Sequence, residues 1–310
     1  MTTGTTGTGT GATVTAPATV PASSTKQYPH ANRSDRSPGM PHVTVTAIYT
    51  YPVKSCRGTL TDAADIAPTG IEGDRQLMVL KEGKFTNQAF VPSLATIATR
   101  RVDANTIAFS AEGHGELIHT VGAGGAESAI NFYGNDVPVI DQGDALASWL
   151  SDATGTDLRV AGLKDTFTRA VPLAEFGVVD GIDQSRFVDV APLLVTNTAS
   201  LDDLNGRLEA PVPMNRFRPN VVIEGLDAFC EDEVTALSIE GLKLVRATHC
   251  ERCGVTCTDQ ETGERAKEPL AALRAYRHRE NGYAGGVMFG AYMGVEGSAT
   301  LRVGDTLEVS

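Results

Sequence analysis

Val43-Thr44-Val45-Thr46-Ala47-Ile48-Tyr49-Thr50-Tyr51, followed by Pro52, sets the fold class of this 310-residue chain. The run mixes β-branched and aromatic residues, which fit a pleated surface better than a helix, and Pro52 ends it by removing a backbone donor. It reads as a strand. Shorter runs of the same kind follow at residues 76–80, 94–100, 106–110 and 117–121, separated by turn signals such as Pro68-Thr69-Gly70 and Glu82-Gly83-Lys84. Short strands at this spacing predict a β-barrel or sandwich. Upstream, residues 1–41 are rich in Thr, Gly, Ala, Ser and Pro and nearly free of large apolar side chains. Such a segment cannot bury enough surface to offset its ordering entropy, so it is expected to be a disordered tail.

The second half repeats the pattern. Residues 192–195 read as a buried strand, 198–205 as a strand-to-helix transition capped by Thr198 or Ser200, and 220–223 and 236–245 as strands. A helix is expected at 144–152, capped by Asp141 or Asp144, with Leu146, Trp149 and Leu150 on one face and Trp149 in the core. Another is expected at 269–277, where Pro269 suits the first turn. Residues 300–309 read as a hairpin-like pair around Gly304-Asp305, and the polar, irregular 162–188 as a linker between two lobes. Gly122-Ala123-Gly124-Gly125-Ala126 is a turn and not a dinucleotide loop, because no helix pattern or suitably placed acid follows it. The fold class is mainly β (α+β), with a few short helices.

A net charge of -12 argues against a non-specific nucleic-acid binder, which needs clustered Lys and Arg. Five cysteines, three of them crowded together, make a poor disulfide framework and fit a reducing, cytoplasmic setting. The early Thr/Gly run has no apolar core for a signal peptide, and no apolar run reaches the roughly 18 residues of a membrane helix. No membrane association is expected.

Four stretches hold the chemistry. His249-Cys250-Glu251-Arg252-Cys253-Gly254-Val255-Thr256-Cys257 gathers three cysteines and a histidine within nine residues. These residues suit a Cys3His zinc site, an iron–sulfur cluster completed by Cys56 or Cys230, or one thiolate on a metal held mainly by its own cofactor. Packing alone would also account for Cys250 and Cys257. Arg252, next in sequence to Cys253, favours Cys253 as the thiolate. Tyr51-Pro52-Val53-Lys54-Ser55-Cys56-Arg57-Gly58 sets cationic and hydroxyl groups on a turn, which is phosphate-binding chemistry. Gly73-Asp74-Arg75 and Phe217-Arg218-Pro219-Asn220 each place an arginine beside a strand, suited to bidentate recognition of phosphate or heterocycle edges. Taken singly, each of these is as well explained by a solvated strand end or a surface ion pair.

In order along the chain, these pieces resemble the MOSC proteins, named for the C-terminal domain of molybdenum cofactor sulfurases, and specifically the type with an N-terminal β-barrel domain. The resemblance rests on YPVKSCRG (51–58), GDR (73–75), ASLDDLN (199–205), FRPN (217–220), CERC…TD…TG (250–263), EPLAALRAYR (268–277) and FGAY…VGD (289–305). It implies an N-terminal MOSC β-barrel domain at 42–165 and a β-barrel MOSC domain at 166–310. It also implies a molybdenum cofactor held as a pterin phosphate between them, with Cys253 as the thiolate on molybdenum. Lys54, Ser55, Arg75 and Arg218 match residues holding the pterin and its phosphate, and Thr198 and Ser200 lie in a segment that lines the site. Asp259 is a candidate to orient water or substrate, or a turn residue. Pyridoxal phosphate is not expected, because no aminotransferase-like domain precedes the MOSC part. The implied activity is two-electron reduction of small N-hydroxylated substrates, amidoximes or hydroxylamines. Electrons are expected from a separate donor protein of ferredoxin or cytochrome b5 type with a reductase. Two other readings stand beside it: a sulfur carrier using a cysteine persulfide, and a cofactor-free MOSC fold in a specialised biosynthetic pathway.

Overall fold

His42–Thr50, the first strand, sits in a closed barrel with strands from the far end of the chain. Its neighbours are Thr306–Val309 on one side and Val221–Glu224 on the other, both antiparallel. From Val221–Glu224 the barrel continues through Leu193–Asn197, Met288–Gly297, Leu242–Glu251, Ala236–Ile239 and Thr306–Val309 before returning to His42–Thr50. This seven-stranded closure leaves no unpaired edge within the ring. Val43, Val45 and Ile48 point inward with Leu193, Val195, Val221 and Met293. The inward spacing of His42–Thr50 changes after Val45 because the register shifts between Val45 and Ala47; such a bulge turns Ile48 inward where strict alternation would expose it. Leu193–Asn197 and Val221–Glu224 run parallel, and the helix Thr198–Asn205 lies on their crossover.

The computed structural model describes residues 41–122, 124–164, 186–280 and 286–310. Residues 1–40 of the expected tail, most of the expected linker at 162–188 and Ala123 of the glycine-rich turn lie outside the described residues. Residues Met40–Ser310 form one compact unit.

Between the first strand and the linker lies a second β assembly. Val53–Lys54, Leu77–Lys81, Arg159–Leu163, Asn135–Asp141 and Glu127–Phe132 form one sheet, with Lys84–Phe85 folding back on Leu77–Lys81. Ala98–Arg101, Thr106–Ala111 and Gly115–Thr120 form a second. Leu77, Leu94, Phe109, Leu146 and Leu150 bury a shared core that includes the helix Asp144–Thr154. Trp149 packs on the edge of that core, 6.2 Å from Phe109. No helix among the described residues is long and apolar enough to cross a membrane.

The mainly-β, few-helix expectation stands, and local departures have physical reasons. Residues 94–100 are not one strand: Pro92 opens a 3-10 turn, Pro92–Thr96, that buries Leu94, and the strand is Ala98–Arg101. Residues 236–245 are two strands, because Gly241 (φ +77°) reverses the chain between Ala236–Ile239 and Leu242–Glu251. The expected hairpin at 300–309 does not form. Ala299–Arg302 pairs with Ala63–Ala67, and Thr306–Val309 enters the barrel. Neither Thr198 nor Ser200 caps the second helix; Asn197 does, its side chain accepting from Ala199 N at 3.3 Å. Asp141 orders the turn before the first helix by accepting from Gly143 N at 2.8 Å, and Gly143 occupies the cap position.

Candidate cofactor cleft

The barrel and the second β assembly meet at Tyr51, where the first strand ends. The Tyr51 ring lies between two guanidinium groups, Arg75 at 4.7 Å and Arg218 at 4.4 Å from its centroid, and its hydroxyl donates to Pro219 O at 3.0 Å. Gly58 makes room for this ring: a Cβ there would lie 2.3 Å from Tyr51 Cε1. Val53–Lys54 then runs parallel beside Leu77–Lys81 with Lys54 opposite Met78, and Arg75 N donates to Tyr51 O at 2.7 Å. Lys54, Ser55, Arg75, Arg218 and Cys253, distant in sequence, line one cleft. The backbone marks the same place. Six described residues other than glycine have positive φ, and four of them, Ser55, Arg75, Tyr133 and Arg218, line this cleft. A left-handed backbone costs roughly 1–3 kcal/mol per non-glycine residue; at Tyr133 the two-residue hairpin turn Tyr133–Gly134 requires it, and Ser55, Arg75 and Arg218 carry it in the motif turns of the cleft.

Charge in the cleft is unevenly balanced. Arg75 pairs with buried Asp74 and donates to Asn220 Oδ1 at 3.2 Å. Lys54 Nζ lies 2.6 Å from Asp189 Oδ1 and above the rings of Phe85 and Phe132. Although burial favours the neutral acid, Lys54 holds the Asp189 carboxyl down at about 2, helped by the Tyr133 hydroxyl. Arg218 differs. Its Nη1 donates to two neutral acceptors, Cys56 O at 2.7 Å and Gln260 Oε1 at 3.2 Å, and it has no carboxylate partner among the described residues. Burial, with Arg75 adding to it, pulls its pKa below the ordinary arginine value. Arg252 carries a further buried donor, Nε, without a partner. An anion at this end of the cleft would relieve both.

Cys253 lines the same cleft, exposed, at the start of the 3-10 turn Gly254–Cys257. The three clustered cysteines part company here. Cys250 is buried and takes a hydrogen bond from Arg252 Nη1 at 2.7 Å; Cys257 is buried, its sulfur 3.4 Å from Lys267 O. Arg252 is therefore aimed at Cys250 and Phe217 O, not at Cys253, which corrects the neighbour argument from sequence. Cys56 is buried too, and burial pushes its thiol up to about 12. Among the described residues no three His, Cys, Asp or Glu side chains are grouped to hold a metal, so the Cys3His and iron–sulfur arrangements do not form there.

Three expected site residues lie elsewhere. Thr198 begins the second helix, half-buried. Ser200 is fully buried and donates to the Glu231 carboxylate at 2.7 Å, while its own oxygen accepts from Phe229 N. Asp259 anchors a turn: Oδ1 accepts from Glu261 N and Thr262 N, and Oδ2 pairs with Arg216 at 2.9 Å. Sequence reasoning missed Asp189, which stands between the expected linker at 162–188 and Leu193–Asn197; nothing in its neighbours marks it. Tyr292, in the quoted FGAY, and Arg252, in CERC, also line the cleft; Tyr292 was legible as a motif member without a role, and Arg252 only as the neighbour of Cys253.

Burial pushes the Glu231 carboxyl up to about 7, above an unfolded value of about 4.3. The folded state then holds this proton at pH values where the unfolded chain has lost it, so stability falls as pH rises through that window. Relative to Glu231→Gln, the native protein should lose about 3 kcal/mol between pH 4 and pH 8. Denaturant unfolding at both pH values checks this; parallel stabilities for the two proteins would contradict it.

Residues 183–308 match the MOSC domain and residues 42–157 the MOSC N-terminal beta barrel domain. The chain belongs to the MOSC-domain proteins with an N-terminal MOSC β-barrel domain, the family of the mitochondrial amidoxime reducing components. Mitochondrial amidoxime reducing component 2 of Bos taurus is 31% identical over 275 residues, covering 84% of this chain and 82% of that protein. Mitochondrial amidoxime-reducing component 1 of Homo sapiens is also 31% identical over 275 residues, covering 84% and 81%. A molybdenum cofactor sulfurase of Caenorhabditis briggsae is 28% identical over 260 residues, covering 81% of this chain but 33% of that protein. These relatives are by name amidoxime reducing components and a molybdenum cofactor sulfurase, and they support an enzymatic role for this chain.

Proposed function

We propose that this chain binds a molybdenum cofactor as a pterin phosphate in the cleft and reduces small N-hydroxylated molecules with electrons from a separate donor protein. One observation carries the reading: a single cleft joins an exposed thiol to a half-buried arginine that has no carboxylate partner among the described residues. The donor set fits the group. Arg218, Arg75, Lys54 and the Ser55 hydroxyl suit an anionic heterocycle, and Cys253 offers a soft ligand in the same cleft. When bound, the cofactor would supply two-electron, oxygen-accepting chemistry, N–OH plus two electrons and two protons giving N–H and water. The chain's part is position and charge. Arg75 and Arg218 both stack on the Tyr51 ring, which gathers the cationic end around one side chain. Asp189, ionised beside Lys54, balances that ammonium and leaves Arg218 as the seat for the phosphate.

Protein made in a cofactor-competent host should convert an aromatic amidoxime to the amidine with reduced viologen as donor. Absence of turnover by protein carrying stoichiometric molybdenum would overturn the reductase assignment. Cyanide-releasable sulfur on Cys253 without molybdenum would overturn it in favour of a sulfur carrier.

A further inference from the structure

Behind Arg218, two buried glutamines from opposite parts of the chain form a closed amide pair. Gln260 Nε2 donates to Gln88 Oε1 at 2.8 Å, and Gln88 Nε2 donates to Gln260 Oε1 at 3.1 Å. Both remaining N–H positions are used, and so is the second acceptor position of Gln260. The second Gln88 hydrogen goes to Ser55 O at 2.8 Å, the second Gln260 hydrogen to Thr258 O at 3.0 Å, and Gln260 Oε1 also accepts from Arg218 Nη1 at 3.2 Å. Both side chains are essentially inaccessible, at 0% and 2% exposure, where an unmatched amide would be costly. The orientation is forced. Ser55 O and Thr258 O can only accept, and Arg218 can only donate, so each amide has one permitted way round.

The pair touches two of the expected cofactor-binding residues at once, Ser55 through its carbonyl and Arg218 through its guanidinium. It does so without charge. A carboxylate at position 260 would hold Arg218 equally well by geometry and would cancel the charge that an incoming anion needs. Buried arginines are ordinarily matched with acids, as Arg75 is with Asp74 and Arg277 with Asp232. Arg218 is matched with amide and peptide oxygens instead.

We infer that the Gln88–Gln260 amide pair is a positioning device that fixes Arg218 and Ser55 while keeping the Arg218 charge available for the phosphate of the cofactor. This rests on the proposed cofactor reading. Gln260 acts through Arg218 and makes no contact with the ligand itself.

The test compares Gln260→Glu with Gln260→Met on the full chain, made free of cofactor, by calorimetric titration with inorganic phosphate. Pterin content is measured separately on the same variants from a cofactor-competent host. Gln260→Glu should bind phosphate about a hundredfold more weakly than the native protein, because a buried like charge now competes for Arg218. Gln260→Met, which loosens Arg218 but leaves its charge, should lose about tenfold or less. Pterin content should fall in the same order. Equal losses in the two variants would reduce the pair to packing, and unchanged phosphate binding in Gln260→Glu would remove its role altogether; either result overturns the inference. Thermal unfolding reports folding independently. Should Gln260→Glu not fold, Gln88→Glu, one amide further from Arg218, carries the same comparison: weaker phosphate binding supports the inference and unchanged binding overturns it. Native protein that binds phosphate but gains neither pterin nor molybdenum would defeat the cofactor reading alone, leaving the order of the variants to be decided by phosphate.

Discussion

Asp74→Ala is expected to cost about 3–5 kcal/mol of stability, because it breaks a buried ion pair and strands its cation. Asp74 is 4% exposed and serves three groups: Oδ1 accepts from Tyr51 N at 2.6 Å, and Oδ2 faces both Arg75 and Asn220 Nδ2. Those partners come from the end of the first barrel strand, the GDR turn and the FRPN turn, so one carboxylate ties together the three segments that build the cationic end of the cleft. Without it, Arg75 loses its ion-pair partner while Arg218 stacks on the same Tyr51 ring. In a chain of this size the loss corresponds to a melting temperature lower by about 10 °C. Asp74→Asn keeps the shape and the Tyr51 hydrogen bond and should recover part of the loss. A melting temperature within 2–3 °C of the native value for Asp74→Ala would show that solvent replaces the carboxylate, against its burial.

Cys253→Ala should have the opposite profile, large in cofactor and small in stability. Its side chain is exposed, and the local turn is held by its carbonyl, which accepts from Thr256 N at 3.2 Å and Thr256 Oγ1 at 2.9 Å; alanine keeps both bonds. Cofactor-free protein should therefore unfold within about 0.5 kcal/mol of the native chain, as surface substitutions do. Molybdenum retained after purification should drop to less than about a tenth, since the exposed soft donor of the cleft is gone. Cys250→Ala gives the contrast. It leaves Arg252 with a second unmatched buried donor, so it should lower stability and leave the Cys253 thiol in place.

The β class of the fold was legible because it is written in local composition: runs such as 43–51 and 106–110 carry β-branched and aromatic residues between turn formers. Its closure was not. The pairing of His42–Thr50 with Thr306–Val309 joins the two ends of the described chain, and nothing local to either strand names the other. The same division holds for the cleft. Lys54, Ser55, Arg75, Arg218 and Cys253 sit in motifs dense in unusual neighbours. Thr198 and Ser200 were drawn in by their motif, but the barrel turns Ser200 toward buried Glu231 and away from the cleft. Asp189 stands in a stretch with no periodicity, and its partners Lys54 and Tyr133 are 135 and 56 residues earlier. The Gln88–Gln260 pair spans 172 residues and consists of residue types that, read singly, signal a solvated surface.

The most direct measurement is the molybdenum-to-protein and pterin-to-protein ratio of the native chain and of Cys253→Ala, both purified from a host that makes the cofactor. Near-stoichiometric molybdenum and pterin in the native protein, with molybdenum lost in Cys253→Ala, is the predicted result. Zinc or no metal in the native protein, or molybdenum retained unchanged by Cys253→Ala, would contradict the assignment of this cleft to the cofactor.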